Sequence, residues 1–231
     1  MSIFAIGDIH LSLSGEKPMD IYGGEWVDYL KKLEENWRRL IGETDTVLLA
    51  GDHSWALKQD AAEEDLRWIA ALPGKKVLIK GNHDLWWHSV SRLNQLDPSM
   101  LFLQNAYYDA EGIAICGARG WICPGDNVFG EHDEKIYARE LMRLAFSLEA
   151  AAGAGLEERI VMLHFPPTNE KKDDSGFLEL IRKYKVSKVV YGHLHGRENF
   201  GRGLQGIHDG TEYCLVSLDF LACRPLRIAG G

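Results

Sequence analysis

Apolar and polar positions change period several times along the chain. Trp26, Tyr29, Leu30, Leu33, Trp37, Leu40 and Ile41 recur at helical spacing, and Gly42 follows as a stop signal, which predicts a first helix. Residues 47–50 are a short apolar run of the kind a buried strand shows. Leu66, Ile69 and Ala70 predict a second helix closed by Pro73-Gly74. Residues 77–80 read as another strand, and residues 86–96 as a third helix ahead of Asp97-Pro98.

Strands crowd together further on. Residues 101–103, 107–110 and 113–115 read as strands, with a turn at Glu111-Gly112. Tyr137, Leu141, Leu144, Ala145 and Leu148 lie on one helical face between residues 133 and 152, before the break at Gly153-Ala154-Gly155. Residues 160–163 and 188–191 are strand-like and flank a helix over 177–184, and the tail from 204 to 228 reads as a β meander. Helices alternating with strands early, and strands accumulating late, predict an α/β sandwich with mixed sheets in one domain spanning residues 1–231.

Composition narrows the function classes. Apolar residues make up 45% of the 231 positions, enough for a real core. Acidic residues outnumber basic ones by 34 to 26, and basic residues come only in short pairs, so neither an extended nucleic acid nor a membrane is an expected partner. No stretch approaches the roughly 20 apolar residues a membrane span needs. The first apolar run is too short for a signal peptide, and Cys116, Cys123, Cys214 and Cys223 form no Cys-x-x-Cys pair. A cytoplasmic protein with buried thiols is the expectation.

Five apolar runs empty directly into acidic, amide or imidazole side chains. Residues 3–6 run into Gly7-Asp8-Ile9-His10, residues 47–50 into Gly51-Asp52-His53, and residues 77–80 into Gly81-Asn82-His83-Asp84. Residues 160–163 lead to His164, and residues 189–191 to Gly192-His193-Leu194-His195. Open α/β sheets bind ligands outside the carboxyl ends of their strands, so the five loops are expected to converge. Asp8, His10, Asp52, Asn82, His164, His193 and His195 mix carboxylate, amide and imidazole without thiolate, which suits manganese, iron or zinc. Seven ligands exceed one tetrahedral site but serve two adjacent ions, with an Asp bridging and positions left for water.

These blocks, Asp-x-His, Gly-Asp, Gly-Asn-His-Asp, His and Gly-His-x-His, resemble the ordered signature of the calcineurin-like metallophosphoesterases. The resemblance implies a four-layer αββα sandwich of two mixed β-sheets flanked by helices. It implies a first ion on Asp8, His10, Asp52 and His195, and a second on Asp52, Asn82, His164 and His193. His83 matches the residue beside the leaving group and Asp84 the carboxylate that orients it. The implied reaction is in-line hydrolysis of a phosphate mono- or diester of a small molecule or nucleotide by a metal-bridging hydroxide, with His83 as general acid. Residues 206–213 are also similar to a bacterial group of predicted phosphohydrolases.

Two residues outside the signature are candidate substrate contacts. Arg119 lies in the Gly-flanked loop Gly117-Ala118-Arg119-Gly120 and could bind a phosphate bidentately. His53 follows the bridging Asp52. Trp86, Trp87, Trp121 and Phe165 are candidates for a stacking wall, with core packing as the plainer alternative. The competing functions are a non-catalytic metal-binding scaffold of the same fold, which would have shed ligands or His83, and a nuclease, which would need a basic stripe.

Overall fold

In the computed structural model, which describes residues 1–13, 15 and 17–230, the chain runs through eleven strands and five α-helices. The order begins β1 (Ile3–Ile6), α1 (Tyr29–Leu40), β2 (Thr46–Leu49), α2 (Gln59–Ala70), β3 (Lys75–Leu78), α3 (Val90–Leu93) and β4 (Met100–Phe102). It continues with β5 (Tyr107–Ala110), β6 (Ile113–Gly117), α4 (Glu131–Gly153), β7 (Glu158–Leu163), α5 (Gly176–Lys183) and β8 (Lys188–Tyr191). The last strands are β9 (Gly206–His208), β10 (Thr211–Leu215) and β11 (Leu226–Ala229). By its contacts the chain divides into two compact units: Met1–Phe102 with the segment from Val216 onward, and Leu103–Leu215.

The first unit holds a five-stranded sheet in the order β11-β1-β2-β3-β4. Strands β1 to β4 are parallel and β11 is antiparallel to β1. Every residue of β1 and β2 is buried, which is why both read as unbroken apolar runs rather than alternating ones. Helix α1 buries Tyr29, Leu33 and Trp37, and the Trp37 indole donates to the carbonyl of Pro73 at 2.9 Å. The end of α2 is closed by Lys76, whose ammonium reaches the carbonyls of Ala70 (3.1 Å) and Leu72 (2.6 Å). Burial pulls the Lys76 pKa down to about 8.

The second unit holds a six-stranded sheet in the order β5-β6-β7-β8-β10-β9. Strands β6, β7, β8 and β10 run parallel, with β5 and β9 antiparallel at the edges. Helix α5 starts at Ser175, whose hydroxyl accepts from the Leu178 amide at 3.1 Å. The architecture is therefore α/β with two mixed sheets and helices. Among the described residues no helix is long and apolar enough to cross a membrane. All four cysteines are free thiols.

Two sequence expectations are corrected. The helix expected over residues 86–96 shrinks to α3, because Trp86 and Trp87 are core side chains in a turn: the Trp86 indole donates to Asp84 at 3.2 Å and the Trp87 amide to the Asp84 carbonyl. The tail is not one meander. Strands β9 and β10 form a hairpin in the second unit, and the chain then returns to the first, where Val216 O accepts from Gly7 N at 2.7 Å and Leu218 N donates to Gly7 O. Strand β11 then pairs with β1.

Candidate functional site

Beyond the ends of β1 and β2 the two segments keep running side by side. Asp8 N donates to Gly51 O, His10 N to Asp52 O, and Leu11 N to His53 O, each at 2.9 Å. The path needs left-handed backbone at Asp8 (φ 57°), His10 (φ 50°) and Asp52 (φ 53°). For non-glycine residues that conformation costs on the order of 1 kcal/mol each, and such outliers concentrate where function holds them. All three side chains are buried.

Within this first unit the ligand atoms of Asp8 lie within 4.8 Å of those of His10 and of Asp52. His10 Nε2 stands 3.7 Å from Asp52 Oδ2, too long for a hydrogen bond. Two donors with metal–ligand bonds of about 2.1 Å can stand no more than about 4.2 Å apart on one ion, so the pair is close enough to share a cation. The other Asp52 oxygen accepts from the His83 amide at 2.8 Å, which ties the third loop to the second. Gly81 makes that approach possible, since a Cβ there would collide with the Asp52 carboxylate and backbone. His83 itself is exposed and Asn82 half-buried.

Asp84 anchors the arrangement from below. Its fully buried carboxylate accepts from the amides of Asp52 (2.9 Å), Gly81 (2.8 Å), His53 (2.8 Å) and Ser54 (3.3 Å) and from the Trp86 indole. A carboxylate that gathers the backbone of two loops is a brace for both. Asp65 on α2 adds a second brace, accepting from Ser54 Oγ (2.5 Å) and Leu13 N (3.0 Å), and burial raises its pKa.

Trp55 is a site residue that the sequence reading missed. Its ring stacks on His10 with centroids 4.6 Å apart and an interplanar angle of 22°, and lies 4.4 Å from the His83 ring. Lys17 Nζ sits over its face at 4.7 Å. Trp55 falls three residues after Asp52 in an irregular segment, so no hydrophobic period marked it.

The second unit carries the remaining imidazoles. His164, fully buried beyond β7, donates its amide to Arg119 O at 2.9 Å, and its carbonyl accepts from Gly192 N at 3.1 Å. His193 takes left-handed backbone (φ 70°) beyond β8. The rings of His164 and His193 stand 5.1 Å apart at 74°, and Phe165 packs on His193 at 4.1 Å. His195 is half-buried, and its carbonyl accepts from the Asn199 amide at 2.7 Å.

Neither candidate substrate contact has the setting its loop suggested. His53 is completely buried, with Nε2 2.8 Å from Ile79 O and its ring stacked on Trp87, so it is a core histidine. Arg119 donates to the buried Glu140 at 3.1 Å, where Arg143 also converges, and its guanidinium covers the Trp121 ring at 4.4 Å. That guanidinium is committed within its own unit. Arg119 serves the loop through its carbonyl, which accepts the amides of His164 and Phe165.

The profile of the calcineurin-like phosphoesterases matches residues 1–197. No curated protein matches the chain. Among solved structures it is similar to a protein of unknown function from Aquifex aeolicus, at 16% identity and a TM-score of 0.55, covering 98% of this chain and 95% of that one. It is also similar to the phosphopantetheinyl hydrolase of Mycobacterium tuberculosis, at 17% identity and a TM-score of 0.55, covering 100% and 96%. Strand-end carboxylates and imidazoles held by strained loops, together with the matched signature, make the chain a member of the calcineurin-like phosphoesterase family, a metal-dependent phosphoester hydrolase.

Proposed function

We propose that the protein hydrolyses a phosphate mono- or diester of a small molecule or nucleotide, using two divalent cations of the manganese, iron or zinc type. The observation that carries this reading is Asp52: one oxygen is oriented by the His83 amide, while the other stands at metal-sharing distance from His10. By the family signature Asp8, His10, Asp52 and His195 hold one ion, and Asp52, Asn82, His164 and His193 the other. When bound, the ions supply a water nucleophilic at neutral pH and positive charge for the phosphoryl oxygens.

The chain's own residues do the rest. His83, exposed and set beside Trp55, gives a proton to the departing oxygen as its bond to phosphorus breaks. Asp84 is a positioning residue rather than a proton carrier, since its oxygens hold the Asp52 and Gly81 backbones that aim His83. Asp8, His10 and Asp52 are shielded from bulk water, which strengthens electrostatic interactions at the reacting centre.

The test is hydrolysis by metal-stripped protein reconstituted in turn with manganese, iron and zinc. An aryl phosphomonoester and an aryl phosphodiester are assayed side by side. Turnover restored by metal and abolished in Asp52→Asn is the expected result. No turnover with any metal on either ester would contradict the proposal.

A further inference from the structure

The second unit contains a cavity of about 530 Å³ whose wall includes His193 and His195. Its apolar side comprises Ile122, Val128, Phe165, Pro166 and Leu194. Cavities of this size ordinarily bury an organic ligand, and this one is much larger than a phosphate needs.

The wall is built, not slack. Asn169, 2% exposed, donates through one amide nitrogen to Pro124 O and Asp173 Oδ2, each at 2.9 Å. Its amide oxygen accepts from Lys171 N and Asp173 N, each at 3.1 Å. Gly125 (φ +90°) packs so closely that a Cβ there would lie 2.7 Å from the Asn169 amide. Glu170 N donates to Asp126 Oδ1, and Arg202 pairs with Glu170 at 2.6 Å, joining three lining segments. A pocket fixed in this way loses little entropy when a ligand enters.

Charge narrows the ligand. Arg202 is neutralised by Glu170, and Asp126 leaves the lining with a net negative formal charge when the imidazoles are neutral. Val128 stands 75% exposed on this wall, an apolar surface that a half-apolar ligand would cover. Once the ester phosphate offsets the charge of the ions, a second phosphate or a carboxylate would face this negative lining, whereas an uncharged group with hydrogen-bonding edges would meet no such repulsion.

We propose that this cavity binds the organic part of the phosphoester, and that this part is an uncharged, half-apolar group of about nucleoside size. The inference rests on the phosphoesterase reading, which places the phosphate against the ions that His193 and His195 help to hold.

The experiment is equilibrium binding by calorimetry to manganese-loaded protein, with phosphonates whose P–C bond resists hydrolysis. The probes are methylphosphonate, adenosine 5′-methylenephosphonate and the latter's 3′-carboxymethyl ether. The nucleoside phosphonate should bind at least about 10-fold tighter than methylphosphonate, a gain within reach of modest apolar burial. The added 3′ carboxylate should forfeit most of that gain. Val128→Asp, at a position 75% exposed, should weaken only the nucleoside phosphonate. Nucleoside binding no tighter than methylphosphonate, including no binding of either, overturns the proposal, as does equal weakening of both by the variant. Failure of the phosphoesterase reading shows separately, as absent aryl ester turnover.

Discussion

The two units give the residues of the signature different surroundings. In the first, Asp8, His10 and Asp52 are buried, all three in left-handed backbone, and held by Asp84, Asp65 and the Trp55 ring. In the second, His193 and His195 are half-buried beside a cavity with both apolar and polar lining. The carboxylates of the signature are buried and hydrogen-bonded from several sides, and the imidazoles nearest the cavity are partly open to it. On the proposed function, changes in the first unit bear on reactivity and changes around the cavity on selectivity.

Substitutions in the first unit should therefore cost turnover on every ester. Asp52→Asn removes a charged ligand worth several kcal/mol and should lower kcat/KM by about 10³-fold or more on mono- and diester alike. A loss on one ester only would break the division of labour. His83→Ala should cost about 10²–10⁴-fold on an ester with a poor leaving group, and much less on a nitrophenyl ester, with metal content unchanged. Equal losses on both would remove the proton-donor role.

Asp84→Ala strands four backbone amides in the core and should lower unfolding free energy by about 3 kcal/mol, read from the urea midpoint. Wild-type stability in that variant would mean the brace is redundant. Trp55→Leu should loosen manganese binding by about 10-fold through the His10 ring, with little change in the urea midpoint. Unchanged affinity would reduce Trp55 to packing.

Alkaline stability separates the cores from the site. Burial pushes the thiols of Cys116 and Cys223 up to about 11 and that of Cys123 up to about 12, from an ordinary value of 9.0. Folded thiols stay neutral where unfolded ones ionise, so their contribution is complete below pH 9 and is lost as pH rises toward 11. The loss is on the order of 1 kcal/mol per thiol by pH 10. Lys76 works the other way, because its depressed pKa makes the folded state gain as pH rises from about 8 to 10.5. Urea midpoints should fall between pH 9 and 10.5, and fall more steeply in Lys76→Met. A profile with the same slope in both proteins would contradict the Lys76 assignment.

Much of this was legible in the residues, for physical reasons. Buried parallel strands must be continuous apolar runs, and their carboxyl ends must turn tightly, so the runs ending in Gly-Asp and Gly-Asn announced both sheet and site. What escaped depends on long-range packing. The apolar spacing of residues 86–96 suits a helix, but Trp86 and Trp87 spend their bulk on the core and Asp84 takes the indole hydrogen bond. Arg119 looked free for phosphate because Glu140 lies 21 positions away, on a helix whose buried carboxylate no period reveals. His53 points into the core while Trp55 stacks on His10, although strict alternation would put both on one side; the irregular, left-handed backbone after Asp52 breaks the period that a sequence reading relies on.

The most direct measurement is metal stoichiometry against turnover, by titrating manganese into stripped protein and reading bound ions per chain alongside hydrolysis of an aryl phosphodiester. Two ions per chain, with activity rising only as the second binds, is the expected result, and Asp52→Asn should hold fewer than two. Full activity at one ion, or saturation without any turnover, would contradict the proposal of a two-metal phosphoesterase.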